Sequence, residues 1–84
     1  MKFKASVNVM LKPSVLDPQG ATLERALKSM GHRNVSSIRV GKLIELTMDC
    51  ENQEAAAKLA DDWADKLLAN PNMENYSLTL EKLP

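Results

Sequence analysis

Few side chains in this 84-residue sequence could do chemistry, and they lie far apart. Cys50 is the only cysteine, and its neighbours are Asp49 and Glu51, whereas a reactive thiol needs positive charge nearby. His32 is the only histidine, so the chain offers no set of soft metal ligands and no nucleophilic triad. We interpret Cys50 as a small apolar residue at the end of a strand and His32 as a solvated loop residue.

One segment, Asp17-Pro18-Gln19-Gly20, could bind an anion. It opens a predicted helix whose first backbone N–H groups are free, and Gly20 would let a phosphate come close. The carboxylate of Asp17 opposes this, because it would already occupy the positive field of the helix N-terminus. Helix capping is therefore the better interpretation, and phosphate binding is the alternative.

The composition argues against several classes of protein. The formal net charge is zero and the basic residues are spread along the chain, which is a poor footprint for binding nucleic acid or an anionic membrane. No apolar run approaches the ~20 residues that cross a bilayer, and the alternating N-terminus does not resemble a signal peptide. Since a single cysteine cannot form a disulfide within the chain, we expect a reduced, cytoplasmic setting.

The elements that must position these residues follow from hydrophobic periodicity. A period of two predicts a first strand that ends at Pro13 and buries one face, formed by Phe3, Ala5, Val7, Val9 and Leu11. Asp17 and Pro18 predict the start of a first helix, and Gly31 predicts its end. The apolar stripe of this helix consists of Leu23, Ala26, Leu27 and Met30.

A second helix is predicted from the cap Asn52 to the stop at Asn70-Pro71. Its apolar stripe is expected to be Ala56, Leu59, Ala60, Trp63 and Leu67, so that Trp63 belongs to the core. A last strand alternates through Tyr76, Leu78 and Leu80.

Two strands, Val35–Val40 and Leu43–Cys50, are predicted between the helices. A three-residue loop from Gly41 to Leu43 with a bulge is favoured, because it puts the apolar residues of both strands on one face. The order β-α-β-β-α-β predicts a single α+β domain over residues 1–84. It would have two layers in a ferredoxin-like arrangement, with two helices on one face of a four-stranded antiparallel sheet.

Self-association is expected, because a chain this short buries only roughly 60–65% of its unfolded surface. The uncovered sheet face is predicted to carry short, mostly neutral side chains, namely Lys4, Ser6, Asn8, Met10, Ser37, Arg39, Glu45, Thr47, Ser77 and Thr79. Such a face suits the close approach of a second sheet, and an exposed edge suits pairing with its copy. We therefore expect a dimer or a dimer of dimers.

The segment from Leu11 to Gly20 resembles the signature of the PurS family. Matching pieces follow in the same order along most of the chain, from about Val7 to Tyr76: Ala26-Leu27, Ile38-Arg39-Val40-Gly41-Lys42, Lys66-Leu67-Leu68-Ala69-Asn70-Pro71 and Glu74-Asn75-Tyr76. The chain departs from the family at Ala64, where members often carry cysteine, and at Asn72-Met73-Glu74, where Val-Ile-Glu is common. The first departure indicates that the family cysteine has a packing role.

This resemblance implies a non-catalytic subunit of phosphoribosylformylglycinamidine synthase in purine biosynthesis. In that family the small subunit joins a PurL-type synthetase and a PurQ-type glutaminase. The complex converts formylglycinamide ribonucleotide, glutamine and ATP into formylglycinamidine ribonucleotide, glutamate, ADP and phosphate. The resemblance thus implies no catalytic residue, metal or cofactor in this chain, with ATP and Mg²⁺ used by the synthetase.

Partner contacts are expected at the first helical turn and at the predicted hairpin. Glycine in a first helical turn costs about 1 kcal/mol relative to alanine, so folding alone explains Gln19-Gly20 poorly. The predicted contact residues are Asp17, Pro18, Gln19, Gly20, Arg39 and Lys42. The rival hypothesis is an ACT-like regulatory module of the same strand and helix order, which would bind a small molecule between paired domains.

Overall fold

A three-stranded antiparallel sheet organises the chain, and its first strand lies at the centre. The computed structural model describes all 84 residues. The elements are β1 (Lys2–Leu11), α1 (Pro18–Ser29), β2 (Gly41–Asp49), α2 (Gln53–Trp63) followed by a π-helical turn (Ala64–Leu68), and β3 (Glu74–Lys82). The strand order is β2-β1-β3, so each edge strand pairs only with β1. No helix is both long enough and apolar enough to cross a membrane.

One face of β1 carries the centre of the core. Phe3, Ala5, Val7 and Val9 are at most 1% exposed, which confirms the predicted alternation. Val7 lies opposite Ile44 of β2 and Leu78 of β3, so the apolar residues of all three strands share this face. This face is therefore a continuous apolar surface on which another element must pack.

The other sheet face, called the outer face, carries the short side chains that the sequence predicts. It contains Lys4, Ser6, Asn8, Met10, Leu43, Glu45, Thr47, Ser77 and Thr79. Lys4 and Glu45 form an ion pair of 3.2 Å across two strands. Ser37 and Arg39, predicted on this face, lie in no strand.

α2 covers the sheet with alanine. Its predicted cap is confirmed, since the side chain of Asn52 accepts a hydrogen bond of 2.9 Å from the amide of Ala55. Ala56, Ala60 and Ala64 are fully buried against the apolar side chains of β1. The larger residues predicted for the core are instead exposed: Leu59 by 41%, Trp63 by 40% and Leu67 by 81%. The large side chains at this contact come from β1, so the helix packs on the sheet through its smallest side chains.

The end of α2 widens into the π-helical turn before the chain leaves the helix. The amide of Ala69 donates to the carbonyl of Ala64 at 2.9 Å, and Ala69 itself is extended. This confirms the predicted stop at Asn70-Pro71, because the helical turn ends at Leu68 and the chain is extended just before these two residues.

The predicted fourth strand is not formed. Residues 32–40 lie in no strand, and β2 begins at Gly41, paired with Met10 of β1. The predicted hairpin with its bulge is therefore wrong. Backbone and side-chain groups of Arg39 and Val40 bond to the loop after β1 rather than to another strand. The chain is an α+β fold with two helices and a three-stranded antiparallel sheet, without the four-stranded ferredoxin-like layout.

α1 has its predicted bounds but covers no strand. Gly31 adopts a positive φ of 95° just beyond the helix, as its predicted C-terminal position requires. Gly20 is the only buried residue of α1. The apolar residues Leu23, Ala26, Leu27 and Met30, called the α1 stripe, face away from the core, with Leu23 48% and Met30 70% exposed. The prediction of two helices on one sheet face therefore holds only for α2.

The resulting shape is long and thin. The radius of gyration is 16.6 Å, and the extents are 53 × 29 × 14 Å. A single compact domain of this length has a radius of gyration of about 12 Å. The chain exposes 6085 Å², whereas a folded monomer of its mass exposes about 5,000 Å². The chain therefore exposes about 1,100 Å² more than a compact monomer of its mass.

Candidate functional site

The predicted site residues meet at a junction between the end of β1, the start of α1 and residues 38–40. Asp17 lies at its centre and is 6% exposed. One carboxylate oxygen, Oδ1, accepts a hydrogen bond of 3.0 Å from the amide of Gly20, which caps α1. The other oxygen, Oδ2, accepts a hydrogen bond of 2.8 Å from the amide of Val40, 23 residues further along the chain. A single carboxylate thus fixes the start of α1 to the start of β2.

These contacts hold Asp17 in its charged form. The hydrogen bond from Gly20 is the largest influence that lowers the pKa of this carboxyl below its ordinary value, followed by the bond from Val40. Burial acts in the opposite direction, and the charge of Arg39 lowers the pKa further. Because both oxygens already accept backbone amides, the segment opposes a phosphate at this helix N-terminus.

Arg39 closes the junction from the other side. Its guanidinium donates to the carbonyls of Leu11 and Lys12, each at 3.0 Å. Residues 38–40 are therefore tied to the loop after β1 by backbone acceptors and to Asp17 by a carboxylate. This network leaves α1 little freedom to turn relative to the sheet.

Gly20 has a packing reason that the sequence did not reveal. A Cβ atom added there would overlap the carbonyl oxygen of Ile38, which belongs to the backbone and cannot move aside alone. The glycine in the first turn is thus explained by close approach of residues 38–40 to the helix. The interpretation that Gly20 is poorly explained by folding was wrong, although a partner contact nearby stays a prediction.

The remaining predicted residues lie around the junction rather than in it. Pro18 and Gln19 are exposed in the first turn of α1, where they border an open hollow with Val40. Lys42 lies on β2, on the same sheet face as Val9, and its ammonium is 4.0 Å from the carboxylate of Glu74. Asp17, Gly20 and Arg39 therefore form one cluster, with Pro18 and Gln19 on its surface and Lys42 beside it.

Two members of the junction could not be predicted from the sequence, namely the carbonyl of Ile38 and the amide of Val40. Both act through the backbone, so side-chain chemistry gave no signal for them. The carboxylate of Asp17 and the guanidinium of Arg39 are both bonded to backbone groups of the chain. The arrangement can fix the direction of α1 and present Pro18 and Gln19 on a rigid support, which suits binding another chain.

A second polar contact joins α2 to the sheet. The hydroxyl of Tyr76 on β3 donates to Oδ1 of Asp61 at 2.7 Å. This hydrogen bond, with burial and the charges of Asp61 and Asp65, raises the pKa of Tyr76 to about 12. The contact with Tyr76 thus fixes the flank of α2 above β3.

No group of three or more histidine, cysteine, aspartate or glutamate residues is arranged to hold a metal ion.

Comparison with known proteins places this geometry in a family. Residues 4–82 match the family model "PurS: Phosphoribosylformylglycinamidine (FGAM) synthase". The phosphoribosylformylglycinamidine synthase subunit PurS of Methanocaldococcus jannaschii is 38% identical over 81 residues, covering 96% of this chain and 98% of the relative.

Solved structures agree with the sequence comparison. The structure of Thermus thermophilus PurS is similar with a TM-score of 0.87 and 41% identity, covering 100% of both chains. A chain of the PurLQS structure from Thermotoga maritima is similar with a TM-score of 0.87 and 33% identity, covering 96% of this chain and 99% of that one. The three-stranded sheet with two helices is thus shared with PurS subunits over the whole chain.

Proposed function

Because the chain belongs to the PurS family, we propose that it is the small subunit of phosphoribosylformylglycinamidine synthase and assembles that enzyme in purine biosynthesis. Its partners are a PurL-type synthetase and a PurQ-type glutaminase. The observation that carries this proposal is the likeness over nearly the full length to a chain of the PurLQS structure. The chain acts as a subunit of an amidotransferase complex and supplies no catalytic residue.

The geometry of the junction supports an assembly role. The carboxylate of Asp17 and the guanidinium of Arg39 form hydrogen bonds with backbone groups of the chain, so neither is free for catalysis. What they support is an exposed first turn on a helix that leaves the sheet. We propose that Pro18, Gln19 and Lys42 touch a partner subunit directly, while Asp17, Gly20 and Arg39 hold the contact surface in place.

Cofactor use and location follow from the same role. The chain binds no cofactor of its own, and ATP and Mg²⁺ are used by the synthetase subunit. The proposed location of the complex is the cytoplasm.

The chain also associates with itself, as a dimer or a dimer of dimers. The excess exposed surface of about 1,100 Å² exceeds the about 800 Å² per partner that a standard interface buries. The exposed α1 stripe and the polar outer face are the two surfaces available for this association.

Reconstitution tests the assembly role. Synthetase, glutaminase and this chain are mixed, and glutamine-dependent formation of product is compared with and without this chain. Turnover with glutamine should depend on the chain, whereas turnover with a high concentration of ammonium salt should depend on it much less. Unchanged glutamine-dependent turnover on omission of the chain would refute the proposed function.

A further inference from the structure

Three connections of the chain meet at the end of the sheet where β1 stops. They are the loop from β1 to α1 (residues 12–17), the segment that enters β2 (residues 38–42) and the turn that enters β3 (residues 69–74). β1 ends where both edge strands begin, because Met10 and Leu11 pair with the first residues of β2 and β3. We call the surface formed by these three connections the loop end.

Lys12 joins the three connections through its backbone. Its amide donates to the carbonyl of Met73 at 2.8 Å, in the turn that enters β3. Its carbonyl accepts a hydrogen bond of 3.0 Å from the guanidinium of Arg39 and one of 2.9 Å from the amide of Val15. The loop end is therefore one hydrogen-bonded unit rather than three independent loops.

Backbone donors at the loop end bond within the chain. The amide of Asn70 donates to Oε1 of Glu74 at 2.7 Å, and the amide of Asn72 donates to Oδ1 of Asn70 at 3.0 Å. The amide of Val40 donates to the carboxylate of Asp17. Phosphate sites use backbone amides of this kind, so a surface whose amides are already bonded suits the side chains of another protein better than a phosphate group.

Two apolar side chains are exposed on this bonded unit. Leu16 is 79% exposed and Met73 is 46% exposed. Leu16 lies between Val15 and Asp17, and both of these neighbours are held by hydrogen bonds, as is the backbone of Met73. Methionine is enriched in protein interfaces, and a surface fixed in advance loses little conformational freedom on binding. The loop end thus has the properties of a docking surface for a protein.

The charges of the loop end are arranged with the cations outside. Its carboxylates are recessed, since Asp17 is 6% exposed and the side chain of Glu74 is 19% exposed. The side chain of Lys42 is 57% exposed, and Arg39 is exposed as well. The outward surface is therefore positive, and a complementary partner presents carboxylates to it.

We infer that the loop end docks on another subunit of the synthase, in a patch that is apolar at its centre and acidic at its rim. Leu16 and Met73 enter the apolar centre, and Lys12 and Lys42 face the carboxylates of the rim. The surface is distinct from the α1 stripe and from the outer face, so both stay available for self-association. This inference rests on the proposed function and extends the contact proposed for Lys42 to the whole loop end.

Charge reversal tests the rim. Lys12→Glu is compared with Lys2→Glu, which changes a lysine near the other end of β1. Binding to the immobilised synthetase and to the immobilised glutaminase is measured by surface plasmon resonance under the conditions of glutamine-dependent turnover. Lys12→Glu should weaken binding to one of the two subunits by about tenfold and reduce its dependence on salt, whereas Lys2→Glu should bind like the unchanged protein. Equal affinities of the two variants for both subunits would overturn the inference.

Truncation of the apolar centre separates docking from folding and from self-association. Leu16→Ser and Met73→Ser remove exposed side chains, so the melting temperature and the mass in sedimentation equilibrium should stay unchanged. Each should weaken binding to the same subunit by about fivefold or more. Leu59→Ser, on α2 and exposed to a similar degree as Met73, is the control.

The results for these variants distinguish failure of the inference from failure of the proposed function. If both loop-end variants bind like the control while the unchanged chain still supports glutamine-dependent turnover, the proposed function stands and this docking surface is wrong. An unchanged chain that binds neither the synthetase nor the glutaminase would overturn both.

Discussion

The two helices of this chain carry similar amphipathic patterns, yet one is packed and the other is not. α2 buries Ala56, Ala60 and Ala64 on the sheet, whereas Leu23 and Met30 of the α1 stripe stay exposed. The helix with the smaller apolar residues forms the core of the chain. The helix with the larger ones is left for contact with another molecule. Hydrophobic periodicity therefore identifies a helix and its apolar face, but not what covers that face.

The connections explain the difference. Residues 50–52 join β2 directly to α2, and this short connection returns the helix over the sheet, where it packs on β1 and β3. α1 is held by the polar junction instead, with Asp17 and Arg39 bonded to backbone groups on both sides. Tethering thus decides which helix completes its own core.

Enlarging one alanine in each helix gives the largest expected contrast. Ala60→Leu inserts three carbons between α2 and β1, and overpacking of this kind costs about 3 kcal/mol. The melting temperature should fall by roughly 12–24 °C for a domain of this size. Ala26→Leu, in the exposed stripe of α1, should change stability by less than about 0.5 kcal/mol. Equal losses in thermal melts at a concentration where the chain is monomeric would show that α1 is packed within its own chain.

The same contrast separates what the sequence could predict from what it could not. Both helix starts, both helix ends and the alternation of β1 and β3 were predictable, because caps, glycine, proline and periods of two and 3.6 act locally. The fourth strand was predicted wrongly, because Val35–Val40 has a strand-like composition. The conformation of this segment depends instead on Asp17, whose carboxylate accepts a hydrogen bond from the amide of Val40, 23 residues away in sequence. Trp63 was assigned to the core for a related reason. Helical periodicity identifies the apolar face of α2 but does not show which side of that face packs on the sheet.

The site was predicted in part for similar reasons. Asp17, Gly20 and Arg39 were selected from their residue types and from the resemblance to a family, and the structure brings them together. Their shared neighbours, the carbonyl of Ile38 and the amide of Val40, are backbone groups whose positions only the fold defines.

Gly20→Ala should disturb the junction that sets the direction of α1. The added methyl group would overlap the carbonyl of Ile38, so residues 38–40 or the first turn must shift. Helix propensity favours alanine by about 1 kcal/mol, and overpacking opposes it by about 1–3 kcal/mol. We expect a net fall in melting temperature of roughly 4–8 °C. An increase in melting temperature would mean that the junction adapts freely and does not fix the direction of α1.

Asp17→Asn should weaken the junction in a manner that depends on pH. The pKa of Asp17 is lowered in the folded chain, so its carboxylate stabilises the fold above the ordinary value of 3.8. That contribution is lost as the pH falls through the lower pKa of the folded state. Near pH 7 the variant should melt a few degrees below the unchanged protein, and the difference should shrink below about pH 4. Asp62→Asn, on the exposed side of α2, is the surface control; a gap for Asp17→Asn that stays constant down to pH 2 would contradict the assignment.

The smallest effect on stability, and the most specific one on function, is expected from Gln19→Ala. Gln19 is exposed in the first turn of α1, and no hydrogen bond fixes its side chain within the chain. Exposed substitutions of this kind change stability by less than about 0.5 kcal/mol, so the melting temperature should be unchanged within a few degrees. If Gln19 touches a partner, the variant should be retained less well by the synthetase and glutaminase subunits in co-purification. Gln53→Ala, at an exposed glutamine in the first turn of α2, provides a control that also leaves the junction intact. Full retention of the Gln19→Ala chain would show that Gln19 does not touch a partner subunit.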